Sequence, residues 1–333
     1  MNKILIISAT GMGDSLWATP ALRALKQSFP NTQIDFLVSA RWKSLFFGNP
    51  HIDRIYELKK GWVYQMGFKL KFLLSHYDCV LVFHANKDIR RLLAWKRCPA
   101  YFHQPFPWLS KEELVVIEGS PHGIKRRLAL VEKIGAKPAG SHMDLFFNDR
   151  DRSTGVEFLA RNKIVEFVYI NIGASLQHKR WSADRFTALA KKILETTAYH
   201  VVLGGGPEEA EIVESIKSKL NSVRVAHSYD RPIRDNAWLI GQARMMVSSD
   251  SGPMHIGFTL KVPTVALFAV TDSRQSGPFE LEDKVCYLIE APMTPYTHPE
   301  SAKDNPDYFD QISVEMVWEK VQEALAATGG GKQ

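Results

Sequence analysis

Short apolar runs alternate along this chain with segments of helical periodicity, and that alternation restricts the fold more than any other feature. In the first half Ile4–Ile7, Ile34–Val38 and Cys79–Phe83 read as strands, with helical Ala21–Phe29 and Ile89–Trp95 among them. The second half resumes with strand-like Phe167–Ile172, His200–Leu203, Val223–Ala226, Met245–Val247 and Pro263–Phe268. Between these lie helix-like Ala183–Leu194, Glu208–Leu220 and Pro232–Ala243. Strands separated by helices of this length imply βαβ units with right-handed crossovers. The expected class is therefore α/β, with two doubly wound sheets.

A chain of 333 residues suffices for two domains of ordinary size. The polar stretch Asn148–Gly155 has no strand pattern and is expected to be the linker, giving domains of about 1–150 and 151–328. Val314, Val317, Trp318, Val321 and Leu325 fall at helical spacing and predict a terminal amphipathic helix over about 312–327. The glycine-rich end, 329–333, has no apolar side chain to bury and is expected to be a disordered tail.

Composition excludes several classes. Hydrophobic residues make up 45% and charged residues 23%, as in a folded globular protein rather than a disordered one. No apolar run is long enough to span a bilayer, and the opening strand is too short for a signal segment, so a cytoplasmic protein is expected. The three cysteines, Cys79, Cys98 and Cys286, are widely spaced, which disfavours a disulfide framework or a zinc site. A formal net charge of +6 is concentrated partly in Lys87, Arg90, Arg91, Lys96, Arg97 and Lys125–Arg127. Such residues either form a solvated helix face or attract phosphorylated or membrane-surface ligands. No nucleic-acid-binding module is present, and nucleic acid is not expected as a partner.

Chemistry is expected at the loops that end the strands. Asp250-Ser251-Gly252-Pro253-Met254-His255 lies between two strand patterns, and Pro253 suits the first helical position, leaving N–H groups for an anion. The alternative is that Asp250 or Ser251 only caps the helix. Gly11 and Gly13 allow close backbone approach, but Leu16 stands where a dinucleotide fingerprint needs its third glycine. Asp14 is either a general base for a hydroxyl or a cap of the following helix; Thr19-Pro20 offers another helix start. Lys179 either neutralises a diphosphate, with Trp181 anchoring its loop, or is a solvated surface lysine. Gly204-Gly205-Gly206-Pro207-Glu208-Glu209 ends another strand with acids placed to accept sugar hydroxyls or to sit in a first helical turn.

Taken together, Gly13-Asp14, Ala18-Thr19-Pro20-Ala21-Leu22, Gly173 with Lys179-Arg180-Trp181, Gly204–Glu209 and Asp250–His255 resemble the bacterial ADP-heptose:lipopolysaccharide heptosyltransferases, glycosyltransferase family nine. The resemblance runs over most of the chain. It implies a GT-B fold: two Rossmann-like domains facing across a cleft, acceptor on the first and nucleotide sugar on the second. It further implies an inverting, metal-independent transfer of heptose from ADP-heptose to a lipopolysaccharide core or lipid-linked acidic acceptor. The protein would work in the cytoplasm, either free or in peripheral contact with the inner face of the membrane, and would need no cofactor. Asp14 would be the base and Lys179 the contact to the leaving diphosphate. Gly173, Gly205, Asp250, Ser251, Gly252, Pro253 and His255, with Glu208 or Glu209, would hold the donor. Gly11, Met12, Gly13, Lys87, Arg90 and Arg91 would serve the acceptor. Alternatives are a family member with another nucleotide sugar or acceptor, and a non-catalytic nucleotide-sugar binder.

Overall fold

The computed structural model describes residues 1–58, 66–67, 69–70, 72, 74–84, 87–94, 96–119, 121–174, 179–281, 285–294 and 308–328. The chain divides into two units, Met1–Phe146 and Phe147–Gln333.

The first unit is built on a parallel sheet of five strands: β1 (Lys3–Ser8), β2 (Gln33–Ser39), β3 (Arg54–Leu58), β4 (Cys79–His84) and β5 (Ala100–Phe102). Their order is β3-β2-β1-β4-β5. Ile4, Leu5, Ile6 and Ile7 of the central β1 are all fully buried, which is why its sequence is an unbroken apolar run rather than an alternating one. The helices around it include α1 (Met12–Leu16), α2 (Thr19–Ser28), α3 (Lys87–Leu93) and α4 (Gly123–Glu132).

The second unit carries a six-stranded parallel sheet of β6 (Phe167–Asn171), β7 (His200–Gly204), β8 (Val225–His227), β9 (Met245–Ser249), β10 (Thr264–Phe268) and β11 (Cys286–Glu290), ordered β11-β10-β9-β6-β7-β8. Its helices are α5 (Asp149–Arg161), α6 (Ala183–Thr196), α7 (Ala210–Leu220), α8 (Ile233–Gln242), α9 (Gly252–Thr259), α10 (Ser273–Ser276) and α11 (Val314–Thr328). Phe186, Leu189, Ala190 and Ile193 form the buried stripe of α6, while Val317, Val321 and Ala324 form that of α11. Trp181 is buried and donates its indole N–H to Ile312 O at 2.9 Å, fixing the chain just before α6.

Strand order decides where each unit can bind. From β1 the first sheet grows to one side through β2 and β3, then to the other through β4 and β5. From β6 the second grows through β7 and β8, then through β9, β10 and β11. At such reversals adjacent loops leave in opposite directions and open a crevice at the carboxyl ends of the strands. The crevices therefore lie at β1/β4 and β6/β9.

Three local expectations are corrected. Asn148–Gly155 is not a linker: Asn148 accepts from Asp151 N at 3.0 Å, and Asp151 Oδ2 accepts from Asn148 N at 2.7 Å, a capping box that starts α5. Thr19 does not cap α2; it is the first helical residue, its hydroxyl donating to Leu16 O at 2.9 Å. Pro253 is the second residue of α9, and Gly252 is the first. The tail 329–333 lies outside the described residues.

Candidate active site

In the second unit four neighbouring strands deliver their carboxyl ends to one edge. Beyond β9, Asp250 is 6% exposed, and its Oδ2 accepts from Lys179 Nζ at 2.8 Å and from Thr271 Oγ1, beyond β10, at 2.5 Å. Asp250 therefore holds Lys179 rather than capping a helix. Ser251 occupies the N-cap position of α9 without bonding the helix. Its hydroxyl instead meets Ser248 Oγ at 3.1 Å and Asn171 Nδ2 at 3.0 Å. Asn171 Nδ2 also donates to Gly173 O at 2.7 Å, which fixes the amide orientation and leaves Asn171 Oδ1 buried with no hydrogen-bond partner. The first turn of α9 thus meets the β6/β9 crevice without a cap from the Ser251 side chain, and there the helix dipole favours an anion.

The glycine loop after β7 is held from beneath. Glu209, 4% exposed, accepts from Gly206 N at 2.7 Å and from Arg180 NH2 at 2.6 Å, while Arg180 Nε donates to Ala174 O at 3.0 Å. Glu209 so ties the β6 loop to the β7 loop. A Cβ on Gly173 would come within 2.9 Å of Glu209 Oε2, and one on Gly205 within 3.1 Å of Glu209 Cβ, so both glycines permit close packing here. Glu208, by contrast, is exposed. His255 lies within the unit, 4% exposed and edge-on to Phe258 at 6.1 Å.

In the first unit Gly11 is the N-cap of α1, Met12 and Gly13 are buried in its first turn, and Asp14 follows with 39% of its side chain exposed. Asp14 does not act as the cap. Its Oδ1 accepts from Arg127 NH2 at 3.3 Å and its Oδ2 from Thr10 Oγ1 at 3.4 Å. His84, ending β4 across the crevice from β1, has its pKa lowered by burial; Asp14 opposes that shift and Arg127 adds to it. His103 bonds Phe83 O at 2.8 Å, and burial pulls its pKa down to about 4. Arg90 stacks over Trp108 at 5.5 Å and Arg91 reaches Asp88 at 4.0 Å, so the structure gives neither to Asp14. Lys87 begins α3, but its side chain lies outside the described residues.

The second-unit edge offers a lysine, an anion-favouring helix start and a buried amide oxygen; the first-unit edge offers a half-exposed carboxylate steadied by an arginine. That is equipment for departure of a negatively charged group and for removal of a hydroxyl proton. Residues 80–305 match the sequence family described as Glycosyltransferase family 9 (heptosyltransferase). The chain belongs to this family. As a family 9 heptosyltransferase it is 27% identical over 323 residues to the lipooligosaccharide heptosyltransferase 2 of Campylobacter jejuni, covering 91% of this chain and 95% of that one. Among solved structures, the family 9 glycosyltransferase of Veillonella parvula superposes with a TM-score of 0.82 at 21% identity, covering 98% and 97% of the two chains. The ADP-heptose lipopolysaccharide heptosyltransferase II of Escherichia coli gives 0.80 at 18% identity, covering 98% and 100%. The fold of this heptosyltransferase is GT-B.

The sequence does not single out Asn171 or Thr271, and it offers Arg127 only within a basic cluster expected on a solvated face or at an anionic ligand, whereas the structure buries it against Asp14. Asn171 was visible as a polar residue closing an apolar strand and Arg127 as one of a basic triplet; Thr271 carried no signal. Among the described residues no group of three or more His, Cys, Asp or Glu side chains is arranged to hold a metal, and no helix is long and apolar enough to cross a membrane.

Proposed function

We propose that this heptosyltransferase transfers heptose from ADP-heptose to a lipopolysaccharide core acceptor, with inversion and without a metal. The observation that carries this reading is the Lys179–Asp250–Thr271 cluster beside the uncapped start of α9. Asp14 takes the proton of an acceptor hydroxyl; that oxygen bonds the anomeric carbon from the face opposite the phosphate, the bond to phosphate breaks, and ADP leaves. The diphosphate draws Lys179 and the α9 N–H groups, which meet its growing charge as a metal would elsewhere. Asp250 turns to the sugar hydroxyls, and Gly205 and Gly206 allow the nucleoside to approach while Glu208 accepts from it. Glu209 is committed to Arg180 and Gly206 and stays behind the loop. Gly11, Met12, Gly13, Lys87, Arg90 and Arg91 serve the acceptor side.

The same reading places the protein in the cytoplasm at the inner membrane face. Helical Met66, Leu70 and Leu74 are 45%, 55% and 66% exposed at four-residue spacing, with Phe72 buried. Residues 58–77 include Lys59, Lys60, Lys69 and Lys71 and no acid, a composition suited to an anionic lipid surface. The deciding experiment is an ADP-release assay in EDTA with ADP-heptose and a heptose-less core acceptor, the product anomer read by NMR. Acceptor-dependent release with inverted configuration supports the reading. Release only from another nucleotide sugar, retention, or loss of activity in EDTA refutes the corresponding part.

A further inference from the structure

Arg127 is 2% exposed and fully enclosed in the first unit, yet it carries a charge. Burial draws its pKa down only to about 10, with Asp14 opposing the fall, so it remains a cation at neutral pH. Its guanidinium is held on several sides. NH1 donates to Gly123 O at 2.7 Å, one turn back in α4, and NH2 donates to Asp14 Oδ1 at 3.3 Å. The guanidinium carbon stands 5.2 Å from the centre of the Trp17 ring. Nε is buried with no hydrogen-bond partner.

The surroundings of this arginine are built with care for its position. A Cβ on Gly123 would fall 2.3 Å from Trp17 Cε3, so only glycine lets the indole lie against the start of α4. His122 caps that helix, its Nδ1 accepting from Ile124 N at 3.1 Å, and meets Trp17 edge-on at 5.1 Å. Trp17 is therefore fixed by the helix start and in turn forms the wall on which Arg127 rests. Of the charged and titratable groups that act on Arg127, Arg126 repels it; His84 and His103 are themselves pushed toward neutrality by burial. Asp14 supplies the opposing charge.

We propose that Arg127 is the positioning residue of Asp14: it holds one carboxylate oxygen, with Thr10 on the other, so that the remaining lone pairs point to the acceptor hydroxyl. This rests on the reading of Asp14 as the base. A cation lodged in the protein for stability alone would be a poor choice, because an apolar side chain of similar volume is often equal or better in that role. Holding a reacting group within a fraction of an ångström, however, can be worth about 100-fold in rate.

The test compares Arg127→Met, Arg127→Lys and Asp14→Asn in the full chain, with ADP-heptose and the core acceptor as substrates. Arg127→Met is expected to lower kcat by about 10- to 100-fold while the KM for donor stays within about twofold. Arg127→Lys keeps the charge without the planar fork and is expected to fall between Met and wild type. Guanidinium ion added to Arg127→Ala is expected to restore part of kcat, a rescue that a purely structural role would not produce. Asp14→Asn is expected to lower Tm by stranding the buried cation, and Arg127→Met added to it to restore Tm but not activity. Wild-type kcat in Arg127→Met overturns the proposal, and should that variant not fold, wild-type kcat in Arg127→Lys does so. Wild-type turnover in Asp14→Asn would instead remove the base itself, so the two failures are distinct.

Discussion

Glu208 and Glu209 are neighbours in sequence with opposite surroundings, and exchanging each carboxylate for an amide should separate binding from stability. Glu209 is 4% exposed and joins Arg180 at 2.6 Å and Gly206 N at 2.7 Å. Removing one partner of a buried ion pair costs about 3–5 kcal/mol. Arg180 keeps 25% of its side chain exposed, so water recovers part of the loss, and a glutamine oxygen can still accept from Gly206. A cost of about 2 kcal/mol remains, and for a unit of this size that lowers Tm by about 4–8 °C. Glu208→Gln, at an exposed site, should leave Tm within about 1 °C. It should weaken ADP binding about tenfold, the equivalent of one charge-assisted hydrogen bond of about 1.4 kcal/mol. Differential scanning fluorimetry and calorimetric titration with ADP read both effects. Unchanged Tm in Glu209→Gln together with unchanged ADP affinity in Glu208→Gln would refute the division of labour.

Other expectations follow from single contacts. Lys179→Ala should weaken ADP binding by about tenfold or more, as loss of a charged contact to phosphate does; equal affinity by calorimetry would count against the diphosphate contact. Gly155→Ala should lower Tm, since its Cβ would lie 2.0 Å from Trp238 Cε3 where α5 packs on α8; an unchanged Tm would show that this contact yields freely. His103 has a folded pKa of about 4 against 6.5 unfolded, so the unfolded chain binds the extra proton between these values. Its contribution to stability is complete above about pH 6.5 and lost as pH falls toward 4; His103→Asn should flatten the fall of Tm over that window.

The architecture was legible because strands buried on both faces must be written as continuous apolar runs, and β1, β6, β7, β9 and β10 are all of that kind. The strands without a clear sequence pattern are peripheral: β3 is only partly buried, β5 has three residues, and β11 lies at a sheet edge. Helix α5 is hidden in the sequence because its first turn, Asp149-Arg150-Asp151-Arg152, looks like a solvated linker. Yet Asp151 is buried against Arg234; burial alone would raise its pKa, but the hydrogen bonds from Arg234 and Asn148 N and the charges of Arg234 and Arg150 together hold the carboxyl below its usual range. Site residues on glycine loops could be found from their loops. Their partners could not: Thr271 reaches Asp250 across a strand boundary, and Arg127 reaches Asp14 from 113 positions away. Strand order brings such groups together, and periodicity does not encode strand order.

The most direct test of the central claim is single-turnover ADP release by wild type and Asp14→Asn, with ADP-heptose and core acceptor both saturating and donor affinity measured in parallel. The account predicts that wild type releases ADP only when acceptor is present, and that Asp14→Asn binds ADP-heptose with wild-type affinity but releases ADP at least about 1000-fold more slowly. Release by Asp14→Asn at the wild-type rate would contradict it.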